Sequence, residues 1–97
     1  MRQLIILPSA QKSINDVADW LASEYFLDTG LKFIDAVELL LGEYAKLNNL
    51  VFPLCKNRRL ARKKFSCIVF KRKWVVTFKY SANRFTVHEF IWGGKLK

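Results

Sequence analysis

The sequence predicts an α+β fold: an N-terminal strand, then an antiparallel two-helix hairpin packed on one face of a small, mainly antiparallel sheet of about four strands. Three observations predict it. Apolar residues recur at steps of three and four from Ile14 to Leu47, the period of a helix face. After Lys56 the pattern changes to alternation in segments rich in Val, Ile, Phe, Trp and Thr, the period of a half-buried strand. And 97 residues, 52% of them hydrophobic, give room for one domain (1–97) around one modest core.

Each element follows in order. Leu4–Leu7 is a short β-rich run ended by Pro8, and Ser9 stands as a helix N-cap, its hydroxyl suited to a free backbone amide. Ile14, Val17, Ala18, Leu21 and Tyr25 form the apolar face of a first helix. A break at Phe26-Leu27-Asp28 is short enough only for a hairpin, with Asp28 capping the second helix. That helix carries Leu31, Ile34, Val37, Leu41 and Tyr44, widened by Phe33, Ala36, Leu40 and Leu47, and Asn48-Asn49 and Pro53 end it. Residues 58–64 fit strand or loop, and propensity does not decide. Strands follow at 66–70, 74–80 and 85–92; Ser81-Ala82-Asn83 turns the last two into a hairpin, and Gly93-Gly94 loosens the tail. Helices with a broad apolar face must cover the sheet, so one sheet face is left partly open.

Charge divides the chain. Residues 1–55 hold four basic and seven acidic side chains; residues 56–97 hold thirteen basic ones and only Glu89. The net +9 therefore resides in the strand half and points to an anionic partner. The length excludes multidomain enzymes and repeat arrays. No apolar run approaches the ~20 residues of a membrane span, and Leu4–Leu7 is too short for a secretory signal core. Cys55 and Cys67 fit no C-x-x-C spacing and make no disulfide framework, so a reduced, cytoplasmic setting is expected.

The chemistry-bearing residues are few. Lys56, Arg58, Arg59, Arg62, Lys63 and Lys64, then Lys71, Arg72 and Lys73, supply the forked and point charges that phosphate recognition needs; Lys95 adds one near the end. Phe65, Trp74, Phe90 and Trp92 lie close to them in sequence and are candidates for base stacking, although Trp74 fits a core position better. His88 is the sole histidine, with an ordinary pKa near ~6.5 suited to proton transfer. In a regular strand it would leave the face opposite Glu89, so the two would form no dyad. One His and two unpatterned Cys make no four-ligand metal site, Cys67 sits in no nucleophile motif, and no Gly-rich phosphate loop occurs, so no cofactor is expected. What remains is metal-free RNA cleavage or non-enzymatic binding.

The layout also resembles a known family. A short strand, Ser-Ala opening a helix, "INDVADWLASEYF", "GLKFIDAVELLLGEYAKL", Pro53, a basic segment, "KWVVTFKY" and "FTVHEFIWGG" together resemble the RelE/ParE superfamily of bacterial toxins. The likeness spans nearly the whole chain and rests on pattern and spacing. It implies the toxin component of a type II toxin–antitoxin system, held inactive by a cognate acidic antitoxin. The target would be either DNA gyrase, as in the ParE branch, or ribosome-bound messenger RNA, as in the RelE branch. The long helical hairpin looks more ParE-like. RelE-type nucleases place an Arg where this chain has Lys73 and Trp74, and a Tyr or His near the end of the last strand, where it has Trp92, with His88 four residues earlier. Lys63, Lys64 and Lys73 match the family's basic positions. The resemblance thus nominates His88, Lys63 and Lys73 for catalysis and the remaining basic residues with Trp92 for target binding. Without the resemblance, a non-toxic nucleic-acid-binding module fits the same charge.

Overall fold

The computed structural model describes residues 2–47 and 51–93. Among them the order is β1 (Gln3–Ile6), α1 (Pro8–Glu24), α2 (Leu27–Lys46), α3 (Arg58–Arg62), β2 (Ser66–Phe70), β3 (Trp74–Tyr80) and β4 (Arg84–Trp92). The strands form one sheet in the order β1-β4-β3-β2. The β2–β3 and β3–β4 ladders are antiparallel, whereas β1 runs parallel to β4, so the sheet is mixed. Its first and last strands are thereby neighbours.

The helical hairpin packs on one face, as its two stripes require. Ala10, Ile14 and Ala18 of α1 and Phe33, Val37, Leu41 and Ala45 of α2 meet Ile68, Phe70, Val76, Phe78, Phe85, Val87 and Phe90 of the sheet. The sequence stripes find the centre of this face and overrun its rim: Tyr25, Leu31 and Leu47 are exposed. At Gly30 the helices approach so closely that a Cβ would meet the backbone carbonyl of Ala18, which leaves room only for glycine.

Both expected caps are displaced. Pro8 takes the first helical position, where no N–H is needed, so Leu7 becomes the N-cap residue and the Ser9 hydroxyl donates instead to the carbonyl of His88 at 3.1 Å. The hairpin breaks at Tyr25–Phe26, earlier than the sequence predicts, leaving Asp28 in the first turn of α2, where its negative charge complements the positive end of the helix dipole. Asn48, Asn49, Gly94 and Lys95 lie outside the described residues. Gly93 is tied down, its N–H donating to the Lys73 carbonyl.

The segment after α2 wraps one sheet edge. Phe52 packs edge-on against Phe78, Tyr80 and Phe85, and its N–H donates to the Tyr80 hydroxyl at 2.8 Å. Leu54 then bridges Ser66, and Cys55 N–H donates to the Phe65 carbonyl. Beyond this lies α3, capped by the Asn57 side chain, which accepts from Leu60 N–H. The indeterminate 58–64 stretch is therefore helical at 58–62. Strand alternation puts Cys67 on the face away from Ile68 and Phe70, and Cys67 is disulfide-bonded to Cys55. This corrects the expectation of an unbridged pair: twelve residues of separation say nothing of contact, whereas the Leu54–Ser66 bridge sets the two cysteines face to face. Leu60, Phe65 and Cys55 form a second, smaller buried cluster there. The face opposite the helical hairpin is thus partly roofed by α3.

Arg2 is 5% exposed. Its guanidinium donates to the Ser81 and Leu47 carbonyls at 2.7 and 2.9 Å and lies 4.8 Å from the Tyr80 ring centroid. This cation secures the N-terminal strand and is no part of a basic surface.

Candidate functional site

The site begins with an irregularity in β4. Thr77 pairs with Glu89, and the next residue, Phe78, pairs with Val87, so His88 is an extra, unpaired residue: a β-bulge. The apolar spacing carries the same information, since the buried residues of β4 fall at Phe85, Val87 and Phe90, a step of two followed by a step of three. With the alternation broken, His88 and Glu89 no longer leave opposite faces. Glu89 shares the face of its partner Thr77, away from Val76 and Phe78. The His88 ring meets Phe65, in the cluster beneath α3, edge-on at 5.0 Å. The expected separation of the two residues fails because it assumed an unbroken strand.

Lys79 completes the arrangement. It alternates with Phe78, which puts it on the same face, and its ammonium lies 4.8 Å above the Phe65 ring. A cation, an aromatic ring and an imidazole therefore stand side by side. Burial, above all, and the positive charge of Lys79 push the His88 pKa below its ordinary value, and Glu89 works in the opposite direction. At neutral pH His88 is thus an uncharged imidazole set among cations, able to accept a proton.

Two concavities meet at this histidine. A shallow groove of about 200 Å³ is lined by Lys79, Tyr80, Ser81, Arg84, Thr86 and His88. A larger cleft of about 620 Å³ follows the part of β4 beyond the end of β1 and is bordered by Ser9, Ser13 and Asp16 of α1 with His88, Glu89 and Trp92. Trp92 is 54% exposed but pairs directly with Trp74, which stacks on Phe90 at 5.2 Å, so both tryptophans lie on the hairpin side and Trp92 is not gathered with the α3 face.

The sequence-nominated residues divide into two groups. Lys56, Arg58, Arg59, Arg62, Lys63 and Lys64 are all exposed on α3 and its flanks, because Leu60 alone turns inward. Lys63 and Lys64 directly precede Phe65, so their backbone enters the site beside His88. Lys71, Arg72 and Lys73 form the β2–β3 turn at the other end of β2, five strand residues or roughly 16 Å away. Lys73 is therefore not gathered with His88 and Lys63; it borders a separate cleft on the helix side. Lys95 lies outside the described residues. Sequence reasoning missed Lys79 and Arg84, which count only as two more bases until the bulge shows what they face.

Among the described residues no three His, Cys, Asp or Glu side chains gather where one metal ion could sit. Among them, too, no helix is long and apolar enough to cross a membrane. The sequence matches no protein-family model, and no curated protein matches it.

Proposed function

We propose that this chain is the toxin of a type II toxin–antitoxin pair, acting in the cytoplasm on ribosome-bound messenger RNA through the face that carries α3, and neutralised by an acidic antitoxin. The observation that carries the reading is the bulge that sets neutral His88 beside Lys79 and Arg84, under an arginine- and lysine-rich helix. His88 takes the proton of a ribose 2′-hydroxyl, whose oxygen attacks the adjacent phosphorus. The P–O5′ bond breaks, and the leaving oxygen takes up a proton, for which the Lys79 ammonium is a donor. Lys63, Lys64, Arg62 and Arg84 offset the charge that develops on the phosphoryl oxygens. Lys56, Arg58 and Arg59 hold the RNA backbone.

A second reading, gyrase binding with no bond cut, is favoured by the exposed apolar tip of the hairpin at Tyr25, Phe26 and Leu27. Inducing the protein with and without a neighbouring small acidic protein tests both. Growth arrest relieved by the neighbour, with messenger cut only during translation, supports the nuclease; DNA breaks and an SOS response support gyrase. Unchanged growth in both cultures leaves a non-toxic nucleic-acid-binding module. His88→Ala is expected to lower cleavage at least a hundredfold, the usual worth of a general base, while the melting temperature stays near the parent's. Full toxicity in that variant removes His88 from the chemistry.

A further inference from the structure

On the opposite side of the sheet lies a cleft that the proposed RNA site does not use. It measures about 460 Å³, within the ~300–1,000 Å³ of small-molecule sites. Its lining is Val17, Trp20 and Leu21 of α1, Thr29, Lys32 and Phe33 of α2, and Lys71, Lys73 and Trp74 at the β2–β3 turn. The floor is aromatic and rigid. Phe33 is 5% exposed and meets Trp74 edge-on at 6.2 Å, and Trp74 is stacked in turn on Phe90. Trp20 is 56% exposed and forms part of the wall.

The rim has a single charge sign. Among the described residues, Lys32, Lys71 and Lys73 border the cleft and no carboxylate does. The ion pairs among the described residues involve Lys12 and Lys46 instead. Two of the three lysines belong to a turn that breaks its own local rule. Lys71 and Arg72 have φ of 51° and 61°, the left-handed region that glycine and asparagine occupy with least strain. The turn is fixed from both sides, by Lys73 N–H to the Phe70 carbonyl and by Gly93 N–H to the Lys73 carbonyl. Charged side chains where glycine would fold more easily mark positions shaped by something other than folding.

We infer that this cleft binds a small amphiphilic anion, a flat aromatic carboxylate whose ring lies against Trp20, Phe33 and Trp74 while its carboxylate meets Lys32, Lys71 and Lys73. Apolar walls with a few converging charges define such a site: the walls provide affinity, and the ammonium groups fix orientation. The inference is independent of the proposed RNA chemistry, because none of the side chains given a role in that chemistry lines this cleft.

The test uses the full chain labelled with ¹⁵N and 1-naphthaleneacetate as probe, read at the three indole N–H signals. Saturable shifts, largest at Trp20 and smaller at Trp74, are expected. The neutral analogue 1-naphthaleneethanol and the double variant Lys32→Gln/Lys73→Gln should each bind at least tenfold more weakly. Unsaturable shifts would overturn the inference, as would equal affinity for the neutral analogue or for the double variant. Shifts largest at Trp92 would place the probe in the β4 cleft and overturn it as well. An acidic peptide that fills the cleft without being displaced by the probe would make it a protein interface, and the inference would again fail.

Discussion

The two faces of this sheet are built on different principles. Under the helical hairpin, fourteen buried side chains interlock, with Phe78 stacked on Phe85 at 4.4 Å and Phe33 edge-on to Phe70 and Phe90. Under α3, Cys55, Leu60 and Phe65 form a cluster a fraction of that size, held by a disulfide and bordered by His88 and Lys79. One face holds the fold together. The other is stapled, with His88 and Lys79 standing at the edge of a small cluster. A small domain cannot give both faces a full core, so a crosslink stands in where packing falls short.

The contrast is broken or sharpest at phenylalanine. Phe85→Ala, on a residue with no exposed surface, should cost about 3–5 kcal/mol in urea unfolding. Phe65→Ala, in the small cluster, should cost clearly less yet impair the proposed RNA cleavage, since it removes the ring between Lys79 and His88. Equal stability losses would mean that the face under α3 carries as much of the core as the helix face.

How much of this was legible in the sequence also follows the two faces. The helix face was written in periodicity: Ile14-Ala18 and Phe33-Val37-Leu41 sit at helical steps, and Val76, Phe78 and Phe85 at strand positions. Nothing local encodes the parallel docking of β1 beside β4, which joins the two ends of the chain. The α3 face was mostly illegible for the same reason. Residues 58–62 contain one inward apolar residue, Leu60, too few for a periodic signal, and the Cys55–Cys67 contact depends on a chain segment wrapping an edge. The bulge alone left a trace, the step of three between Val87 and Phe90, and that trace decides which face His88 occupies.

The staple gives the next effect. Reducing the disulfide, or Cys55→Ser, should cost about 3 kcal/mol for a loop of this length, concentrated at residues 53–65. Hydrogen exchange should quicken at Leu60 and Phe65 while Val37 and Val87 keep their protection. Uniform quickening would show that the two faces unfold together. The bond can be reduced, so the proposed RNA cleavage measured with and without reductant also reports whether α3 must be fixed to act.

A smaller effect tests the polar cost of the α3 face. Thr77 is fully buried between Cys67 and Glu89, and its hydroxyl makes no hydrogen bond among the described residues. Thr77→Val keeps the shape and removes the unsatisfied group, so unfolding free energy should rise by about 1 kcal/mol. A loss of that size would mean that the hydroxyl is satisfied by water.

The smallest effect concerns protons. Folding lowers the pKa of His88 from 6.5, through burial first and Lys79 second, against the opposing pull of Glu89. The unfolded chain therefore binds more protons than the folded one between the two values. The contribution is fully present above the unfolded value and is lost as pH falls from there through the folded one. Stability should thus decline on acidification from pH 7 toward 5. His88→Asn should flatten that decline without lowering stability at neutral pH by more than a fraction of the Phe85→Ala cost. Lys79→Met should raise the folded His88 pKa toward its unfolded value, so the decline ends at a higher pH and is smaller. An unchanged slope in both variants would assign the pH dependence to carboxylates on the helix side and leave His88 an ordinary surface imidazole.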